Sequence, residues 1–151
     1  GQAHKSPIED VSMETYDKIM NVNVKAPYFL SQYALAFLQL SDCGTIINIS
    51  SVVAHTGYKN QSVFTISKHA LQGLSKAFAL EAMDKNVRVH VVSPGAVYTE
   101  LTEMLRPDLF PDDLILPSEI ADAVAFFLDN RDAHFIVDEL RMHRINKEPF
   151  I

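Results

Sequence analysis

The sequence predicts an α/β protein built on a parallel sheet, and three observations carry that prediction. Two short runs, Thr45-Ile46-Ile47-Asn48-Ile49-Ser50 and Val87-Arg88-Val89-His90-Val91-Val92, are dense in β-branched residues. The first is apolar at both parities, which suits a strand covered on both faces. The intervals around these runs have helical spacing, and the links are short. Helix, strand, helix, strand, helix, strand is the α/β order, and the crossover lengths imply parallel pairing.

Each element has its own signal. Residues 1–11 read as loop, with Pro7 as a breaker. Ser12 is placed to cap a helix whose first turn carries Glu14. From there to about Leu40, Tyr16, Ile19, Met20, Val24, Phe29, Leu30, Tyr33 and Phe37 recur at helical spacing. Pro27 marks a seam or kink inside that stretch. Gly44 opens the first strand. Residues 62–84 read as a long helix with apolar stripes through Ile66, Ala70, Gly73 and Ala77 and through Leu71, Leu74 and Phe78. The second strand, Val87 to Val92, stops at Pro94-Gly95. Ser118 is expected to cap a helix running to Asn130, and a last strand to span about Phe135 to Leu140. Three parallel strands make a narrow sheet whose faces need cover and whose edges need partners, so the chain is expected to be part of a larger one.

At 151 residues, one domain over 1–151 is the natural expectation. An apolar fraction of 48% and a charged fraction of 21% are those of an ordinary globular protein. A net charge of −6 argues against nucleic acid and anionic membrane as partners, because both need clustered Lys and Arg. No apolar run approaches the roughly 18 residues that span a bilayer, and no signal-peptide pattern opens the chain. Cys43 is the single cysteine, which excludes an internal disulfide and suits the cytoplasm. No two of the six histidines lie at helical ligand spacing, so they read as surface or loop residues and not as metal ligands.

The residues that bear chemistry fall at strand ends and on the helix between them. Asn48-Ile49-Ser50-Ser51 closes the first strand, and Phe64-Thr65-Ile66-Ser67-Lys68 opens the long helix. Pro94-Gly95-Ala96-Val97-Tyr98-Thr99 follows the second strand, and Asn23 lies in the helix before the first. In order and spacing these landmarks resemble the catalytic half of the short-chain dehydrogenases/reductases, over nearly the whole chain. The resemblance implies a Rossmann-like, doubly wound parallel sheet whose N-terminal βαβ units are missing here. In that family an Asn, a Ser and a Tyr-x-x-x-Lys form a tetrad. Asn23, Ser51 and Lys68 match three members, and Phe64 falls where the tyrosine belongs. The step of thirteen residues from Ser51 to Phe64 selects Ser51 over Ser50.

What the resemblance implies is specific. The lysine lowers the pKa of the neighbouring phenol from about 10 and holds the nicotinamide ribose. The serine polarises the substrate carbonyl, and the asparagine anchors a water chain. Pro94, Gly95, Val97 and Thr99 match the turn that faces the nicotinamide. The implied cofactor is NAD or NADP, which performs the hydride step on a small-molecule alcohol or ketone. The segment Leu101 to Leu116 would shape the substrate site. Helices 23–40 and 62–84 would pair in a homodimer or homotetramer. Taken singly, the same residues have simpler accounts. Asn23 can bridge helix backbone, Ser51 can bond locally, Lys68 can be a solvated charge, and Pro94-Gly95 can simply end a strand.

Two departures from the family shape the functional expectation. Phe64 keeps the ring but not the phenol oxygen, and no tyrosine has a lysine four residues on. Tyr58, in the loop before the helix, is the one phenol placed to swing in. The glycines Gly1, Gly44, Gly57, Gly73 and Gly95 are too dispersed to build a pyrophosphate loop. The reading is therefore an NAD(P)-dependent oxidoreductase interconverting hydroxyl and carbonyl groups, with this chain alone impaired or inactive. The alternative is a non-catalytic relative that serves as a binding or subunit-interaction module. The basic run Arg141 to Lys147 reads as an edge or tail without an assigned partner.

Overall fold

The computed structural model describes residues 1–148. Helix α1 spans Met13–Met20 and begins as its cap predicts, with Ser12 Oγ accepting the Thr15 N–H at 3.1 Å. It passes through a single π-helical turn, Asn21–Lys25, into α2, Ala26–Leu38. The seam has a covalent cause. Pro27 has no N–H to return to the Asn23 carbonyl four residues back, and the Ala26 N–H reaches five residues back to Asn21.

Strand β1, Gly44–Ile49, leads through a short 3₁₀ turn, Val52–Ala54, to α3, Ser62–Met83. Strand β2 runs Val87–Pro94, two residues beyond the expected end. A short helix α4, Glu100–Leu105, and then α5, Pro117–Asp129, precede β3, Glu139–Met142. The strands form one parallel sheet in the order β1-β2-β3. Gly44 pairs with Val87 at one end of β1 and Ile49 with Val92 at the other.

Helices cover both faces, as a doubly wound sheet requires. On one face Ala82 of α3 packs with Val87 and Val89, backed by Leu35 and Leu38 of α2. On the other, Ala123 and Phe127 of α5 pack on Val92, with Ile47 and Leu140 alongside. Alternate residues of β2 thus serve opposite cores, which is why valines occur at both parities along it.

Three expectations need correction. The cap of α5 is not Ser118. The helix starts at Pro117, whose missing N–H costs nothing at a first position, and Glu119 accepts the Leu116 N–H at 2.6 Å. The last strand is not Phe135 to Leu140 but Glu139–Met142. Phe135 and Ile136 are exposed and irregular, because β2 offers partners only from Val91 to Pro94. Finally, His90 is not a surface histidine. It is buried on β2, stacked on Phe127 at 4.4 Å, with Nδ1 2.8 Å from the Val137 carbonyl oxygen.

Candidate functional site

The C-terminal ends of β1 and β2 open onto a cavity of about 370 Å³. That is where a doubly wound sheet offers a crevice to a ligand. Ser51, Phe64, Lys68, Pro94, Gly95, Val97 and Thr99 all line it, so seven of the eight site residues expected from sequence converge on one space. Each is placed by a local cause. The Ser51 backbone is extended and caps the 3₁₀ turn, with its Oγ accepting the Val53 N–H at 3.2 Å and donating to the Pro94 carbonyl at 3.3 Å. That second bond ties the end of β1 to the end of β2.

Phe64 and Lys68 lie one helical turn apart on α3, so they share a face. The Lys68 ammonium sits 5.8 Å from the centre of the Phe64 ring and donates to the Ile49 carbonyl at 3.1 Å. Lys68 is 7% exposed, and no carboxylate pairs with it among the described residues. Burial without a counter-charge lowers its pKa to about 8. Gly95 is held by its N–H to the Met142 carbonyl at 2.7 Å, and Thr99 caps α4.

Asn23 is the exception. Its side chain is buried and makes three hydrogen bonds. Nδ2 donates to the Gln2 carbonyl at 2.7 Å and to Ser67 Oγ at 3.0 Å, and Oδ1 accepts the Gln2 N–H at 2.8 Å. It fastens the opening residues of the chain to α3. Gly1 is thereby brought so close that an added Cβ would stand 3.0 Å from Asn23 Oδ1 and 3.8 Å from Lys68 Nζ.

Sequence reasoning missed part of the wall. His143, Arg144 and Lys147 reach the cavity from the run after β3, and Arg106 reaches it from just beyond α4. Their charge was legible, but only the three-dimensional return of β3 beside β2 brings them here. Tyr58 also lines the cavity, as do Leu101 and Leu105 of the segment expected to shape a substrate site. Ser50 Oγ, on the cavity floor, and Ser93 Oγ are buried without hydrogen-bond partners.

One polar link underpins the serine turn. His55, which closes it, contacts Glu139 of β3 at 2.6 Å, and Glu139 also accepts from Gln72 of α3 at 3.1 Å. Burial opposes charge on Glu139, but the polar groups facing it, Ser93, His55 and Arg141, hold its carboxyl below the ordinary range. Ser93 faces it without completing a hydrogen bond.

Residues 1–109 match the family model described as short chain dehydrogenase. The chain belongs to the short-chain dehydrogenase family. Among curated members, the cyclohexanol dehydrogenase of an Acinetobacter species is 34% identical over 135 residues, covering 85% of this chain and 53% of its own length. Two solved members superpose over 95% of the chain. One is 4-hydroxyisoleucine dehydrogenase complexed with NADH, at 30% identity, TM-score 0.80 and 63% of that protein. The other is a Tyr-to-Phe variant of ElxO with NADPH bound, at 29% identity, TM-score 0.78 and 62% of that protein. The chain spans about half the length of the curated relatives it matches.

Proposed function

We propose that this chain carries the substrate-facing half of an NAD(P)-dependent oxidoreductase that interconverts a hydroxyl and a carbonyl group on a small alcohol or ketone. The observation that supports it is the convergence of Ser51, Phe64, Lys68, Pro94, Gly95, Val97 and Thr99 on one cavity at the sheet's C-terminal edge. The residues present fit the nicotinamide-ribose end of the cofactor. A buried amine with a single backbone acceptor has further donor capacity for ribose hydroxyls, and the Pro94–Thr99 turn offers backbone polar groups beside it. No residue of this chain is assigned to the adenine end.

When bound, the nicotinamide supplies the hydride. Ser51 then directs its hydroxyl at the substrate oxygen, with its alternative acceptor the Pro94 carbonyl. Lys68 keeps the ribose side of the cavity positive or proton-donating. Leu101 and Leu105 exclude water from the substrate side. Asn23 acts as a positioning residue, holding Gln2 and Ser67 in place behind Lys68. Phe64 stands where the family's tyrosine would donate its proton, and on this reading the chain alone transfers protons poorly. A homodimer or homotetramer through helices 23–40 and 62–84 is part of the proposal. It is supported by the exposure of Leu30, Tyr33 and Phe37 on α2 and of Leu80 and Met83 on α3. So is a cytoplasmic location, supported by the single cysteine; no described helix is long and apolar enough to cross a membrane.

The test is Phe64→Tyr in a full-length context. A positioned general acid contributes about 10²- to 10⁴-fold, and the variant is expected to raise ketone-dependent oxidation of NADH or NADPH by a factor in that range. A second reading, a non-catalytic binding or subunit-interaction module, is favoured by one observation, the bare ring beside Lys68. Silence of Phe64→Tyr together with retained NADPH binding would select it.

A further inference from the structure

We propose that Lys68 is a nucleophilic amine that captures small, apolar aldehydes as an imine inside the cavity it shares with Ser51 and Phe64. The inference goes beyond hydride transfer and does not depend on it. Its first support is geometric. Lys68 Nζ lies in the wall of a 370 Å³ cavity, held by one acceptor, the Ile49 carbonyl at 3.1 Å. Among the described residues no carboxylate pairs with this ammonium to keep it protonated. The groups that share the cavity are the Gly1 amino group, Arg144 and Lys147, Arg106 with its charge met by Asp108, and the titratable His143 and Tyr58; none of them is a carboxylate facing Lys68. The near neighbour on its own helix face is the Phe64 ring, which offers neither a proton nor a competing nucleophile.

The second support is chemical. Only the neutral amine adds to a carbonyl, and burial lowers the pKa of Lys68 from 10.5 to about 8. At pH 8 its neutral fraction exceeds that of a solvated lysine by roughly a hundredfold. Nucleophilicity falls along with basicity, as it does for thiols, so the net advantage is about tenfold. Val53, Phe64, Val97, Leu101 and Leu105 give the cavity an apolar lining that suits a hydrocarbon body. The step balances without an oxidant or reductant. The Nζ lone pair forms a C–N bond to the aldehyde carbon as the carbonyl π pair moves to oxygen, and one of the two Nζ protons passes to that oxygen to give a carbinolamine. The resulting hydroxyl then departs as water, while Nζ gives up its remaining proton to form C=N. Ser51 Oγ, on the same wall, is the donor for the carbonyl oxygen.

Benzaldehyde with cyanoborohydride at pH 8 tests this, since reduction fixes the imine as a benzyl group that peptide mapping can place. The expected result is labelling at Lys68 about tenfold faster than at the exposed Lys18, Lys25, Lys59, Lys76 and Lys85. Lys68→Arg, which keeps the charge and cannot form the imine, should lose that one site and retain the slow surface labelling. Equal labelling of all lysines, or an unlabelled Lys68 in the unsubstituted protein, overturns the proposal. That mapping decides even if the Arg variant does not fold. No nicotinamide is present, so a negative result leaves the oxidoreductase reading untouched, and a silent Phe64→Tyr leaves this one untouched.

Discussion

At the scale of single residues, the burial of Lys68 makes stability depend on pH. Below about pH 8 the amine is charged in the folded and unfolded chain alike, and folding bears the whole cost of burying it. Between about 8 and 10.5 the native amine is neutral while the unfolded lysine still holds its proton. The unfolded state then binds more protons, so stability rises with pH across that window. The difference corresponds to about 3 kcal/mol at most. Lys68→Met is expected to stabilise the protein below pH 8 and to flatten the rise; parallel pH curves from urea denaturation would contradict the assignment. The sequence made Lys68 visible as half of an i, i+4 pair, but a helix pattern alone left it a solvated charge. Its burial follows from α3 crossing the end of β1, where the Ile49 carbonyl receives it. Asn23 shows the converse. Its position was legible, yet its partners, Gln2 in the loop before α1 and Ser67 on α3, are brought to it only by the fold.

Elements were read most reliably where apolar period and length agreed. Helix α3 was expected at 62–84 and spans Ser62–Met83; its Leu71, Leu74 and Phe78 stripe turns inward, while Ile66, Gly73 and Ala77 of the other stripe are exposed. Strands β1 and β2 were legible from β-branched density, which a two-faced core demands. Strand β3 was not, because its sequence Glu-Leu-Arg-Met has no such signal. It is a strand by virtue of partners, with Arg141 beside Ser93 and Met142 beside Pro94. The apolar Phe135-Ile136-Val137 just upstream misled the reading, since only Val137 reaches the core. The start of α5 was missed by two residues for a similar reason: Ser118 looks like a cap, but the Glu119 carboxylate already satisfies the Leu116 N–H. Glu119→Ala is therefore expected to cost about 0.5–1 kcal/mol, while Ser118→Ala stays within about 0.5 kcal/mol. Thermal melts of the two variants would reverse in order if Ser118 were the cap.

At the scale of the whole molecule, the apolar surface is uneven. Leu30, Tyr33, Phe37 and Leu40 are each two-thirds exposed or more, at 68%, 67%, 76% and 82%. Isolated exposed side chains are ordinary, but four along one helix and its end make a patch that water does not favour. Strand β1 adds an outer edge with no partner among the described residues. The first feature supports the proposed self-association through α2. Phe37→Glu, at a position too exposed to matter for the monomer, is expected to reduce the mass seen by light scattering to that of one chain. An unsubstituted protein that already scatters as a monomer would count against the patch as an interface. The fold class itself was readable because it depends only on the order of elements. The completeness of the sheet was not, since that depends on what lies beside β1.

The contact between His55 and Glu139 joins positions 84 residues apart. It gives the crevice a birth order. During synthesis, β1, the serine turn and α3 are all made long before the strand that pins them. A nascent chain lacking Glu139 can form β1–β2 pairing and still leave the turn that carries Ser51 untethered on its far side. Contacts of such long sequence separation are late and slow to close. Losing the final strand would therefore remove this tether of the serine turn while leaving the Ser51 bond to Pro94 in place.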